Sequence, residues 1–385
     1  MTTTTMRNAP ELGARGPSAH GTEQPVGQIV LVLQGGGALG AYQAGVYQAM
    51  NECGIEPDWV IGTSIGAING AIIAGNAPAA RLVRLRAFWS QVGNDRLFDN
   101  AWTLPLFGGA FATMQTLMHG VPGFFQPNPQ AAFGLRLPVG IERASFYTTE
   151  PLKKTLGQFV DFDYINLKQK RFTVGAVNAR TGKMRYFDCR DTVIGLDHVM
   201  ASGALPPGFP AVRIEGEPYW DGGLYSNTPI EVVLDEEPRR DSLIFSVNMW
   251  HSQGSEPKSI WQVLGRQKEI QYSSRAESHI ARQQQIHRLR HVVRELAKRV
   301  PADQQNDPDV HELARYGCRT TMQVVRLLAP HLDHEDHTKD IDFTHTGIRT
   351  RWQMGYMNAK RVLEEKPWHC DLDPLQAVVV HDAGD

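Results

Sequence analysis

Ile29-Val30-Leu31-Val32-Leu33, followed after Gln34 by Gly35-Gly36-Gly37-Ala38-Leu39-Gly40, is the stretch that decides the fold. Five aliphatic residues in a row, with no polar alternation, suit a strand covered on both faces, as in a parallel sheet. The glycines break the strand, and Tyr42, Val46 and Met50 then recur at helical spacing. The same order returns at once in Trp59-Val60-Ile61, the turn Gly62-Thr63-Ser64-Ile65-Gly66, and a small-residue helix from Ala67 to Ala74. Strand, glycine turn and helix, twice within about fifty residues, is the βαβ pattern of a parallel α/β sheet. Further strands are predicted at Arg171 to Asn178 and Met184 to Phe187, joined by a hairpin at Arg180 to Lys183. Leu243 to Met249 reads as the last strand of that core.

Composition narrows the class. The 385 residues are 42% apolar and 21% charged, which excludes a disordered or collagen-like chain. Lys+Arg 39 against Asp+Glu 41 gives a net charge of −2, so no global basic field speaks for nucleic acid. Cys53, Cys189, Cys318 and Cys370 lie far apart with no CxxC pair, which fits a reducing compartment better than a disulfide framework. No apolar run reaches the roughly 18 residues of a membrane-spanning helix. Residues 1–27 lack a hydrophobic signal core and read as a disordered tail. The expectation is a soluble, cytoplasmic protein with a core domain over 28–250 and a mostly helical accessory region over 251–385.

Two regions stand apart. From Ala101 to Leu135 there is no Asp, Glu, Lys or Arg, while Trp102, Phe107, Phe111, Phe124 and Phe125 crowd the segment. Such a stretch is either an insert buried against the sheet or a lid that meets lipid. In the accessory region, Ile286, Leu289, Val293, Leu296 and Val300 form an apolar helical stripe. Between Pro257 and Val300 ten Lys/Arg face three Asp/Glu, a basic face open to an anionic membrane surface, a partner or solvent.

The chemistry concentrates in three motifs. Gly62-Thr63-Ser64-Ile65-Gly66 is G-x-S-x-G between a strand and a helix, the setting in which a sharp turn lifts a serine hydroxyl clear of the sheet. The helix that follows favours developing negative charge at its N-terminus. The glycines at 35, 36, 37 and 40 admit two readings. One is a dinucleotide-binding loop with Asp58 as the ribose acid, making the protein an oxidoreductase. The other is an oxyanion hole built from backbone N–H groups. Acyl transfer needs both glycine elbows, whereas a dinucleotide site needs one, so the second reading is preferred. A serine needs a base, and none of the 14 histidines has a persuasive setting. Asp221, after Tyr219-Trp220 and before Gly222-Gly223, can project from a sheet end, where burial would raise its pKa toward neutrality. It also reads as an ordinary turn-starting aspartate.

The order GGGxxG, GxSxG, DGG resembles the patatin-like phospholipases. Ala201-Ser202-Gly203-Ala204-Leu205-Pro206 with Phe209-Pro210, and Asp221-Gly222-Gly223 with Asn227 and Pro229, extend the resemblance over roughly Gln28 to Trp250. It implies a three-layer α/β/α fold with a helical C-terminal extension, and a serine lipid acyl hydrolase without metal or organic cofactor. By that similarity Ser64 is the nucleophile and Asp221 the general base. Gly35, Gly36, Gly37 and Gly40 form the oxyanion hole, with Gly62, Gly66, Gly222 and Gly223 as motif glycines. Leu39 departs from the arginine often found at this place. The His331, His334 and His337 cluster with Asp333, Glu335 and Asp336 reads as an exposed loop rather than a metal site. A lipid- or partner-binding protein on an inactive hydrolase fold is the remaining alternative.

Overall fold

The computed structural model describes residues 27–93, 116–135, 137–332, 337–370, 373 and 375–382. Gln28–Leu33 (β1) is a strand whose alternate residues feed two separate cores. Leu31 and Leu33 pack into one and Val30 and Val32 into the other, all fully buried. This double burial is what its unbroken aliphatic run requires.

After β1 come helix Ala41–Glu52 (α1), strand Trp59–Gly62 (β2), and helices Ile65–Ala74 (α2) and Pro78–Val92 (α3). Helix Glu150–Phe159 (α4) precedes strands Arg171–Asn178 (β3) and Met184–Asp188 (β4). Helix Leu196–Ser202 (α5) leads to Val212–Ile214 (β5), Glu217–Asp221 (β6) and Ser242–Asn248 (β7). The chain continues through the long helix Ile260–Ala297 (α6), strand Met322–Leu328 (β8), helix His345–Glu365 (α7) and strand Val378–Asp382 (β9). These nine strands form one sheet in the order β9-β8-β7-β1-β2-β3-β6-β5, with β4 also on β3. From β9 to β3 every pairing is parallel, and β4, β5 and β6 join antiparallel. Side chains of α1, α2, α3 and α7 cover one face of the sheet; α6 and the short helix Glu231–Leu234 cover the other.

Two expectations change. The sheet does not end at β7, because β8 and β9 extend it in parallel from the accessory region. Both carry polar residues that pair with each other across the sheet margin, Arg326 with Asp382 and His381 with Gln323, which masks them as strands in the sequence. The apolar stripe on α6 is not its inward face either, since Leu289 and Leu296 are 65% and 58% exposed. The buried face is Glu269, Ser273, Ala276, Ile280, Gln283, His287 and His291. Gln283 bonds Asp235, His287 Nε2 the Leu234 carbonyl and His291 the Thr320 carbonyl, while His287 Nδ1 is buried without a partner among the described residues. A buried helix face can be polar where the neighbouring backbone supplies partners. Among the described residues no helix is long and apolar enough to cross a membrane.

Candidate active site

Register brings Ser64 and Asp221 together. β2 runs parallel to the first half of β3, with Gly62 opposite Val174. Where β2 ends, β6 takes over the same strand antiparallel, with Asp221 opposite Ala176. Ser64 lies two residues beyond Gly62 and Asp221 two beyond Val174's position on β3, so both arrive at the same level. The Ser64 and Asp221 side chains line the same cavity, and the Ser64 hydroxyl lies close enough to the Asp221 carboxyl to lower its pKa.

The turn at Ser64 is sterically demanding. Ser64 sits at φ 56°, a left-handed conformation that side-chain-bearing residues rarely adopt. A Cβ on Gly62 would lie 2.3 Å from the Gly66 carbonyl oxygen, and one on Gly66 2.2 Å from that of Leu33. Only glycine therefore permits the helix to start so close to the strand. The Ser64 amide donates to Ser202 Oγ at 3.0 Å, and Ser202 donates on to the Gly175 carbonyl at 2.7 Å. Buried Ser202 thus locks the turn to β3.

Asp221 is almost fully buried, at 2% exposure. Gly223 donates its amide to Oδ1 at 2.7 Å. Burial pushes the carboxyl up to about 7, against the smaller lowering effect of the Gly223 and Ser64 hydrogen bonds. Both partners are neutral donors.

The glycine loop is held by its carbonyls. Gly35 accepts from Asn227 Nδ2 at 3.0 Å and from Trp250 Nε1 at 2.8 Å. Because the peptide is planar and trans, fixing that carbonyl aims the Gly36 N–H of the same peptide the other way. The Gly35 amide is occupied by the Asn227 carbonyl at 3.1 Å. The Gly36 and Gly37 amides have no acceptor among the described residues. Gly37 has φ 56°, and a Cβ there would meet the Asp340 carbonyl oxygen at 2.2 Å. Gly40 packs against Ile65 and Trp89 instead and does not line the cavity.

Ser64, Asp221 and Gly35 to Gly37 open on one cavity, walled by Phe124, Phe125, Phe209 and Phe343. Phe124 meets Phe343 at 5.3 Å and Phe125 meets Phe209 at 5.3 Å between ring centres. The part of the uncharged segment at 101–115 lies outside the described residues, as do residues 1–26. From Thr116 onward the segment divides its apolar side chains. Phe124 and Phe125 are buried at the cavity, whereas Leu117, Met118, Phe133 and Leu135 are exposed.

Several cavity residues escaped the sequence reading. Trp250, Tyr272 from α6, and Asp340, Ile341 and Phe343 all line it. The Tyr272 carbonyl accepts from Gln34 at 3.3 Å and Asn227 at 3.4 Å, so the accessory helix braces the residues that hold the glycine loop. An aromatic residue alone in a polar helix is a faint signal, and nothing local marks its depth. Among the described residues no histidine lines the cavity. His331 stacks on His251 at 3.8 Å and His337 on Trp261 at 4.4 Å, while His334 and its acidic neighbours lie outside the described residues. Asp58 accepts from the Ile29 amide at 2.8 Å, at the start of β1, while the glycine loop follows its end. A six-residue strand separates them, roughly 17 Å at strand rise, so Asp58 cannot serve a ribose bound at the loop.

The site thus sets a strained serine turn against a buried carboxyl and a glycine loop, on a mostly parallel α/β sheet. A family model described as patatin-like phospholipase matches residues 31–234, just over half of the chain, and the chain belongs to that family of lipid hydrolases. A second model, described as patatin phospholipase, matches residues 270–375 and so covers much of the accessory region. Among curated relatives, patatin-like phospholipase domain-containing protein 7 of Rattus norvegicus is 49% identical over 59 residues, 15% of this chain and 4% of its own length. Lysophospholipase nte1 of Aspergillus terreus is 46% identical over 78 residues, 20% of this chain and 5% of its own. The chain therefore spans only a small fraction of those relatives. The crystal structure of VipD from Legionella pneumophila superposes with a TM-score of 0.40 at 15% identity, covering 89% of this chain and 67% of that one.

Proposed function

We propose that the protein hydrolyses carboxylic esters of lipids through a Ser64–Asp221 dyad. The observation that carries this reading is the juxtaposition, in one cavity, of Ser64 at its strained turn and a buried carboxyl whose pKa is lifted to about 7. A carboxylate of that basicity can accept the serine proton near neutral pH. Ser64 Oγ attacks the ester carbonyl carbon while its proton passes to Asp221. The resulting oxyanion is held by the Gly36 and Gly37 amides, helped by the N-terminus of α2. Collapse expels the alcohol, which leaves with the proton from Asp221, and an acyl group stays on Ser64. Water then attacks the acyl-enzyme, again giving its proton to Asp221, and the fatty acid departs as Ser64 recovers its proton.

The aromatic wall suits an acyl chain. Leu117, Met118, Phe133 and Leu135, all exposed on the same segment as Phe124 and Phe125, give that segment an apolar outer surface suited to lipid. Fatty-acid release from long-chain acyl esters by the wild type, absent in a folded Ser64→Ala variant, is the expected result. Equal release by both would refute the dyad. Vesicle flotation of the Ser64→Ala protein separates lipid contact from catalysis.

A further inference from the structure

We infer that the cavity selects acyl esters whose alcohol part is uncharged beside the scissile bond, and disfavours those that place a phosphate or carboxylate there. This narrows the substrate class of the hydrolase reading and rests on it.

The cavity lining is the first reason. Its residues include Asp221 and Asp340 but, among those described, no Lys, Arg or His. The nearest cations are committed elsewhere. Lys268 holds both Asp340 oxygens at 2.8 and 2.9 Å without lining the cavity. Lys339 pairs with Glu269 at 2.9 Å, over the ring of Trp250. Beside Gly36 stands the buried, apolar Leu39. An anionic group entering here would meet acids and ring faces, with no cation to replace its hydration.

The second reason is Tyr272, which lines the cavity. The Tyr272 hydroxyl has no hydrogen-bond partner among the described residues, and burial, followed by the Asp221 and Asp340 charges, pushes it up to about 12. It therefore remains a donor, suited to a neutral hydroxyl or ester oxygen. The third reason is the base itself. Asp221 is balanced by no cation among the described residues, so an added negative charge nearby would hold its proton on more tightly and withdraw the base at neutral pH. Discrimination should accordingly weaken as pH rises.

The test uses one acyl chain on three alcohols: glycerol, glycerol phosphate and glycerophosphoglycerol, each presented in the same neutral detergent micelles. At pH 7 the two anionic esters should show kcat/KM at least about tenfold below the neutral one, the scale of one unit charge at nearby range. The gap should narrow toward pH 9. Equal rates, or preference for an anionic ester, would overturn the inference. A folded Asp340→Asn variant, with one acid removed and Lys268 released, should raise the relative rate on the anionic esters severalfold; an unchanged ratio contradicts the charge argument. Competition binding of the corresponding non-hydrolysable ether lipids to Ser64→Ala protein gives an independent readout. Preferential binding of the neutral ether supports the selection even if no ester is cleaved, an outcome that would sink the hydrolase reading alone. Equal binding of all three would overturn the selection even if esters are cleaved.

Discussion

Ser64 stands beside the buried carboxyl of Asp221, which has no cation among the described residues to balance it. Two opposite pH dependences follow. Activity requires the ionised base, so turnover should rise through pH about 7 and fall about tenfold per unit below it. Stability should run the other way. The folded pKa lies above the ordinary aspartate value of 3.8, so the native state keeps a proton that the unfolded chain has lost. Stability is thus fully present below pH 3.8 and is lost as pH rises to about 7. Asp221→Asn should abolish most esterase activity yet unfold at higher denaturant than wild type at pH 8, by on the order of 2–4 kcal/mol. That advantage should vanish near pH 4. Chemical denaturation at the two pH values checks the sign.

The glycine loop gives a graded series. Gly37→Ala combines an unfavourable φ with a backbone clash against Asp340, and Gly35→Ala drives a Cβ to 2.3 Å from Asn227 Oδ1. Gly36→Ala meets first the mobile end of Met249, at 2.9 Å. Turnover should fall about 10²-fold or more in Gly37→Ala and Gly35→Ala, the scale of losing an oxyanion donor, and less in Gly36→Ala. Kinetics on a short soluble ester measures this without lipid binding. Equal loss at all three positions would argue against the loop geometry.

Ser202 should act through Ser64 rather than on substrate. Ser202→Ala leaves the buried Ser64 amide and Gly175 carbonyl without their shared partner, which costs about 1–3 kcal/mol. The loss should appear in kcat while KM stays near wild type, because the turn is displaced and the acyl wall is untouched. A variant with unchanged kcat would show that the turn holds itself.

Phe124 and Phe125 are cavity wall as well as core. Phe125→Ala should lower stability by about 3–5 kcal/mol, as for other buried aromatic truncations. A carboxylate at Phe124 should unfold the protein and end both short-ester and lipid hydrolysis. Thermal unfolding decides. A stable Phe124→Asp protein that keeps short-ester activity would mean that the segment opens as a lid.

Much of the fold is legible in the sequence. β1 announced itself by an aliphatic run too long for a half-exposed strand. Ser64 and Asp221 each carry flanking glycines that local backbone geometry demands, and glycine patterns survive in one dimension. Tyr272 and Asp340 were not legible, because only the packing of α6 and the segment before α7 onto the glycine loop gives them a place. β8 and β9 hid behind residues that pair with one another at the margin of the sheet. On α6 the apolar stripe includes exposed Leu289 and Leu296, and the buried side carries polar residues such as His287 and His291 against backbone carbonyls, an arrangement that hydrophobic periodicity cannot detect.

The dyad is tested most directly by a fluorophosphonate that phosphonylates an activated serine, followed by peptide mass mapping across pH. Wild-type protein should carry one adduct, on Ser64, formed at a rate that rises through pH about 7. Asp221→Asn should label at least about 10²-fold more slowly and Ser64→Ala not at all, each remaining folded. Modification of another residue, or undiminished labelling of Ser64 in Asp221→Asn, would contradict a serine activated by Asp221.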